Sequence, residues 1–305
     1  MKYKIEAKNF IKSFKKNIVG PFNLQVNPGK IHAIIGLSGS GKTVFIKSLI
    51  RGINSFKGTI SINGKNNKNI KVKHSIGYVP EFITFPEDIT AYQFLRYMGK
   101  LSGVKGKKLK NRIEDLMTKL GIWEHRNKNV NAFSSGMKKR VMIIQGLLHD
   151  PDIVILDEPE AGLDITNRRI IMEYLKFLAS QKKTIFLSSH LLNEVKYYLD
   201  EFTLVLNGKQ FYSGSIAPFG VDSSYFLMSD NDWKIIDFFI KYNIPYWYEE
   251  ASQELNFVLN NPLSFLDVMQ YAEQMEVTIY KISESNFSID FLLQKLNKTG
   301  VIDLM

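Results

Sequence analysis

A chain of 305 residues, 45% hydrophobic and 12% aromatic, has the apolar content of packed cores, which excludes intrinsic disorder and leaves room for one large α/β domain and a smaller one. It contains no cysteine, so disulfides, thiolate metal sites and cysteine nucleophiles are excluded and a reducing, cytoplasmic setting is expected. The formal charge of +10 is scattered rather than gathered into one basic arm, so a nucleic-acid partner is not expected; the apolar runs fall far short of the roughly 18 residues of a bilayer span, and no export signal is expected.

Residues 1–35 form a small β-region in this reading: KIEAKNFIKSF alternates, NPGK is a turn, and IHAII is a short β-branched run of the kind buried in a parallel sheet. A glycine-rich loop follows, and from Val44 the apolar residues Val44, Phe45, Ile46, Leu49 and Ile50 recur at helical spacing. GTISING is a further strand and turn leading to SIGYVPE. Residues 87–150 form a helical insert, since DITAYQFLRYMGKL, KKLKNRIEDLMTKLGI and SSGMKKRVMIIQGLLHD each carry an apolar stripe behind a polar start. IVILDEPEAGLD, NRRIIMEYLKFLASQ, TIFLSSH and LLNEVKYYL then continue as strand, helix, strand and helix, resuming a parallel sheet. Residues 216–305 are a small α+β module whose strand–helix order suits a ferredoxin-like fold.

The loop Gly36, Leu37, Ser38, Gly39, Ser40, Gly41, Lys42, Thr43, with Val44 at the head of the helix, is the P-loop pattern placed between a strand and a helix. Glycines at 36, 39 and 41 let successive backbone amides and the helix N-terminus face phosphate oxygens. Lys42 then neutralises the β- and γ-phosphates, and the Thr43 hydroxyl holds Mg²⁺. A glycine-rich turn with a surface lysine is the plain alternative. Asp157 and Glu158 emerge from the apolar run Ile153–Leu156, at the strand edge where open α/β sheets bind ligands. Asp157 would hold Mg²⁺ through water, and Glu158 would polarise the water that attacks the γ-phosphate. His190 follows TIFLSS at another strand end, where its imidazole could hold the water and Glu158 in register; a histidine of structural role is the alternative.

These motifs resemble the ATPases of ABC transporters, because the P-loop is joined by FSSGM at 133–137, LDEP at 156–159, GLD at 162–164 and SSH at 188–190. The resemblance covers residues 1 to about 215 and implies a P-loop core of ABC type with an antiparallel β-region and a helical subdomain. It implies ATP and Mg²⁺ as ligands and a homodimer or heterodimer, in which Ser134 and Gly136 of one chain contact the γ-phosphate held by the other. Asp164 would lie on the seam of that dimer. Phe14 stands where the family stacks an aromatic on adenine, more often Tyr, with a core phenylalanine as the alternative. Two departures stand out: Glu81 in GYVPEF occupies the place of a lid-loop Gln and could reach Mg²⁺ or its waters, and Ser135 replaces the second glycine of the signature.

FSSGMKKRVMIIQGLLHDPDIVILDEPEAGLD and SSHLLNEV look most like the stand-alone ATPases of ABC-2-type exporters, with ESNFSIDFLLQKL similar to the terminal helix of their accessory domain. The implied partner is an integral membrane permease, and the implied location is the inner face of the cell membrane. A non-transport ABC ATPase acting on nucleic acid or the ribosome, and a module that merely binds ATP, are the competing readings. One P-loop and no sustained heptad repeat weigh against the first, and Glu158 with His190 against the second.

Overall fold

The computed structural model describes residues 3–15, 17–82, 84–216, 224–242, 244, 246–249, 253–259 and 263–284, and its described residues fall into two compact units. One unit combines the chain up to Leu191 with Tyr198–Ser215; the other combines Leu192–Tyr197 with the described residues from Ile216 onward.

In the first unit, strands β1 (Ile5–Ser13) and β2 (Ile18–Val26) pair antiparallel, and β3 (Ile31–Ile35) leads into the P-loop and helix α1 (Lys42–Leu49). Strands β4 (Lys57–Ile62) and β5 (Lys65–Asn66) complete a four-stranded antiparallel sheet of order β2-β1-β4-β5. Strand β6 (Ile76–Val79) follows, then the helical insert: α2 (Ala91–Leu101), α3 (Gly106–Lys119) and α4 (Ser135–Leu147). The chain returns through β7 (Ile153–Leu156), α5 (Ile165–Ser180) and β8 (Thr184–Ser189) and, after the short α6 (Leu192–Val195) that belongs to the second unit, through the hairpin β9 (Glu201–Leu206) and β10 (Lys209–Ser215). These strands form a six-stranded sheet of order β10-β9-β3-β8-β7-β6, parallel except for the edge pair of β9 and β10.

The central strands are buried on both faces, which is why IHAII, IVIL and TIFLSS read as continuous runs rather than alternating ones. The antiparallel sheet and α1 meet over an aromatic cluster in which the Phe45 ring lies 5.1 Å from Phe10, 5.5 Å from Phe22 and 6.0 Å from Phe186. Phe45 sits three residues after Lys42, so this packing fixes the first turn of α1 and with it the end of the P-loop. Helix α2 is started by a capping box in which Thr90 and Gln93 satisfy each other's backbone amides.

The expected helix over LLNEVKYYL is only one α-turn followed by a 3₁₀ turn at Lys196–Tyr198. The chain must enter β9 immediately afterwards, where Asp200 donates its amide to the Ile31 carbonyl and accepts the Ile31 amide. No length is left to propagate a helix.

The second unit has the order β11 (Ser224–Ser229), α7 (Asp232–Lys241), β12 (Tyr246–Glu249), β13 (Glu254–Val258), α8 (Phe265–Gln274), β14 (Ile279–Glu284). Its antiparallel sheet runs β12-β13-β11-β14, a β-α-β-β-α-β connectivity. Phe239 stacks on Phe257 at 4.7 Å, and Phe238 lies 4.7 Å from Tyr271, closing a core between sheet and helices. The run ESNFSIDFLLQKL lies almost wholly outside the described residues. Among the described residues no helix is long and apolar enough to cross a membrane.

Candidate functional site

The P-loop turns into α1 through Gly41, whose φ of +101° is open to glycine and whose Cβ, if present, would fall 2.5 Å from Val19. Gly36 is required by closeness instead: a Cβ there would meet the Val205 carbonyl oxygen at 2.1 Å. Lys42 is buried, and its ammonium donates to the carbonyls of Gly36 at 2.8 Å and Leu37 at 3.1 Å while standing 3.4 Å from Glu158 Oε1. Loop, cation and acid are thus one connected assembly.

Asp157 and Glu158 follow β7 as the sequence led one to expect. The Thr43 hydroxyl donates to Asp157 Oδ1 at 3.2 Å, and Ser188 Oγ donates to the same oxygen at 2.7 Å. Ser188 Oγ in turn accepts the Glu158 amide at 2.9 Å, so β8 holds both acidic residues in place. Glu158 has a φ of +44°, an uncommon left-handed conformation for a residue with a side chain, which the surrounding structure must hold in place. Its second carboxylate oxygen lies 2.9 Å from His190 Nδ1.

A cleft of about 790 Å³ opens over this assembly, lined by Ser38, Gly39, Gly41, Lys42, Thr43 and Val44 from the P-loop and by Glu81 and Glu158. Phe14 lines it too; the ring is 47% exposed, which rules out a core role, and Lys12 Nζ stands 5.3 Å from its centroid. Glu81 is pushed above the ordinary carboxyl range by burial and by its neighbours Glu158 and Asp157. Gly36, Leu37 and Ser40 complete the loop.

Ser134 and Gly136 do not line this cleft. Ser134 caps α4, its hydroxyl accepting the Met137 amide at 3.3 Å, and is exposed. Gly136 packs on Asn167, leaving no room for a Cβ, which would meet that side chain at 2.4 Å. Asn167 donates to both carboxylate oxygens of Asp164, the cap of α5, and this holds the Asp164 carboxyl below its ordinary range. Ser135 stands exposed at the first position of α4.

Several residues of the site were not anticipated. Asn17, Ile18 and Val19 of the first hairpin and Asn207 and Gly208 of the β9–β10 turn line the cleft. They come from two turns far apart in sequence, joined by the Gly20 amide donating to the Gly208 carbonyl at 2.7 Å. Lys139 and Glu160, both buried, were also missed. Burial pulls the Lys139 ammonium below the usual lysine range and pushes the Glu160 carboxyl up.

The family model described as ABC transporter matches residues 19–161, which span the P-loop, the signature segment and the Asp157–Glu158 pair. An ABC transporter ATP-binding protein of Mycoplasma pneumoniae is 32% identical over 96% of this chain and 91% of its own length. The bacitracin transport ATP-binding protein BcrA of Enterococcus faecalis is 32% identical over 68% of each chain. Among solved structures, an ATP-binding subunit of an ABC transporter superposes with a TM-score of 0.64 at 28% identity, covering 70% of this chain and 91% of that one. A P-loop cleft lined by Glu158, in a chain that matches this family model and these proteins over most of their length, has one explanation: the chain belongs to the ATP-binding, ATP-hydrolysing subunits of ABC transporters.

Proposed function

We propose that ATP sits in the cleft with adenine on Phe14 and its phosphates along Gly36–Thr43, and that Glu158 is the general base for hydrolysis. The observation that carries this is the Glu158 carboxylate, held at one oxygen beside Lys42 and at the other by His190 at the mouth of the P-loop. So held, it can accept the proton of a water attacking the γ-phosphate in line, while His190 keeps it in orientation. Lys42, close to the loop carbonyls, is placed to take phosphate oxygens in their stead.

The donor set beside the P-loop fits Mg²⁺. Thr43 hydroxyl and Asp157 carboxylate are neighbouring hard oxygen donors, and two such protein ligands are what a cation that retains waters and phosphate oxygens requires. Thr43 would hold it directly and Asp157 through water, with Glu81 within reach of its shell. When bound, Mg²⁺ supplies charge neutralisation between the β- and γ-phosphates.

The tip of α4, with Ser134 exposed and Gly136 packed on Asn167 just behind it, would meet the γ-phosphate of a second subunit, homologous or identical, with Asp164 on the seam. Closure on ATP and opening after hydrolysis would drive separate integral membrane permease subunits at the inner face of the cell membrane, in the export direction. The similarity to BcrA supports a transport role over a nucleic-acid one. The test is Glu158→Gln and Ser134→Arg in the purified chain. The first should bind Mg-ATP, lose turnover and accumulate as a dimer on gel filtration; the second should bind nucleotide and stay monomeric. A Glu158→Gln chain that hydrolyses at the parental rate removes the base assignment.

A further inference from the structure

Lys139 lies on the buried face of α4 and is 5% exposed. A lysine in that setting must spend its charge and its three donors inside the protein. Its Nζ donates to the Glu81 carbonyl at 2.9 Å and to the Glu158 carbonyl at 3.3 Å. The carboxyls of Glu160, Glu81, Asp157 and Glu158 all act on it electrostatically. Glu160 is buried too, one oxygen accepting from Ser189 and the other without a hydrogen-bond partner among the described residues.

The contacts matter because of where they fall. Glu158 occupies the left-handed region, so its main chain relaxes unless it is restrained. Its amide is restrained from β8 by Ser188, and its carbonyl is restrained from α4 by Lys139. The same ammonium restrains the lid residue Glu81, which also lines the cleft. Three segments distant in sequence therefore converge on one nitrogen.

We propose that Lys139 is a positioning residue for hydrolysis, tying the main chain of the base Glu158 and of the lid residue Glu81 to helix α4. The proposal rests on Glu158 being the base. It makes the orientation of that base depend on the seating of α4, the helix whose tip carries Ser134 and Gly136. Lys139 touches neither cleft nor substrate, so its loss should act on turnover and spare nucleotide binding.

The experiment compares Lys139→Met, which keeps the linear apolar stem and removes charge and donors, with Lys139→Arg, which keeps both. Steady-state Mg-ATP hydrolysis, affinity for a fluorescent ATP analogue and thermal melting are measured on the full chain. For Lys139→Met the expected result is a kcat lower by about tenfold or more, as for a displaced catalytic group, with KM and nucleotide affinity within about twofold of parental. Lys139→Arg should recover part of the lost kcat. A Lys139→Met chain with parental kcat overturns the proposal. So does one in which kcat, affinity and melting temperature fall together and arginine restores none of them, which is the behaviour of a purely structural lysine. If Lys139→Met does not fold, Lys139→Gln, which retains a donor without the charge, is judged by the same criteria. Glu158→Gln run alongside separates the two failures: if it is inactive while Lys139→Met is parental, only the lysine proposal falls, and if it turns over normally both fall.

Discussion

His190 Nδ1 stands 2.9 Å from Oε2 of Glu158, so the imidazole after β8 and the carboxylate after β7 meet across two neighbouring parallel strands. Adjacent strands of a parallel sheet deliver their ends to the same edge, and two residues widely separated in sequence become one close acid–imidazole pair. His190→Ala removes the group that fixes the Glu158 rotamer and leaves the P-loop untouched. Turnover should fall by about 10²- to 10³-fold with nucleotide affinity nearly unchanged, a loss of positioning rather than of binding. A steady-state assay beside an equilibrium nucleotide titration checks both halves.

Phe14 is half exposed at the cleft, with Lys12 Nζ 5.3 Å from its ring centroid, so the ring face has little to lose by taking a base. Phe14→Ala should weaken ATP binding by about 1–3 kcal/mol, roughly 5- to 150-fold in affinity, while kcat at saturating nucleotide changes little. Phe14→Tyr should bind as well as the parent. Titration with a fluorescent ATP analogue distinguishes these outcomes, and an unchanged affinity in Phe14→Ala would place the base elsewhere.

How much of this was legible in the sequence depends on whether the chemistry is contiguous. Gly36–Thr43 must wrap one phosphate chain, so the whole device is a single run of residues; Asp157, Glu158 and His190 announce themselves because each follows a buried apolar strand. The far wall of the cleft has no such signature, since Asn17, Ile18, Asn207 and Gly208 are brought together only by pairing of two remote turns. Lys139 was hidden differently: in MKKRV it looks like one of three solvated bases, and only the packing of α4 shows that the middle one points inward. The length of α6 was misjudged for a topological reason, the immediate entry into β9.

Burial raises the proton affinity of the Glu81 carboxyl, and its neighbours Glu158 and Asp157 add to the rise. Glu81→Gln removes the repulsion and replaces a charged oxygen donor by a weaker neutral one. ATP hydrolysis should persist within several-fold of parental, while the Mg²⁺ concentration for half-maximal rate should rise by roughly two- to tenfold. Chelation of Mg²⁺ should abolish turnover in both chains. With the permease subunits present, the ratio of ATP hydrolysed to substrate moved should change. An unaltered Mg²⁺ requirement together with an unaltered ratio would show that Glu81 behaves as the amide would.

His32 on β3 is completely buried, with Nε2 2.8 Å from Thr203 Oγ1 and Nδ1 3.2 Å from Glu201 Oε2. Burial drives its proton affinity below the ordinary value of 6.5, outweighing the opposing pull of Glu201. The folded state therefore resists protonation while the unfolded chain accepts it at 6.5, so the unfolded state binds more protons in the window below that value. Stability contributed by His32 is full above pH 6.5 and is lost as the pH falls towards the depressed folded value. His149, lowered by burial in the same direction, adds to the slope. His32→Gln should cost about 1–3 kcal/mol at neutral pH, because Thr203 and Glu201 lose a buried partner, and should flatten the decline of stability between about pH 6.5 and 5 without removing it. Denaturant unfolding at a series of pH values measures both effects. A slope identical in parent and variant would mean that the His32 proton plays no part in the acid sensitivity of the fold.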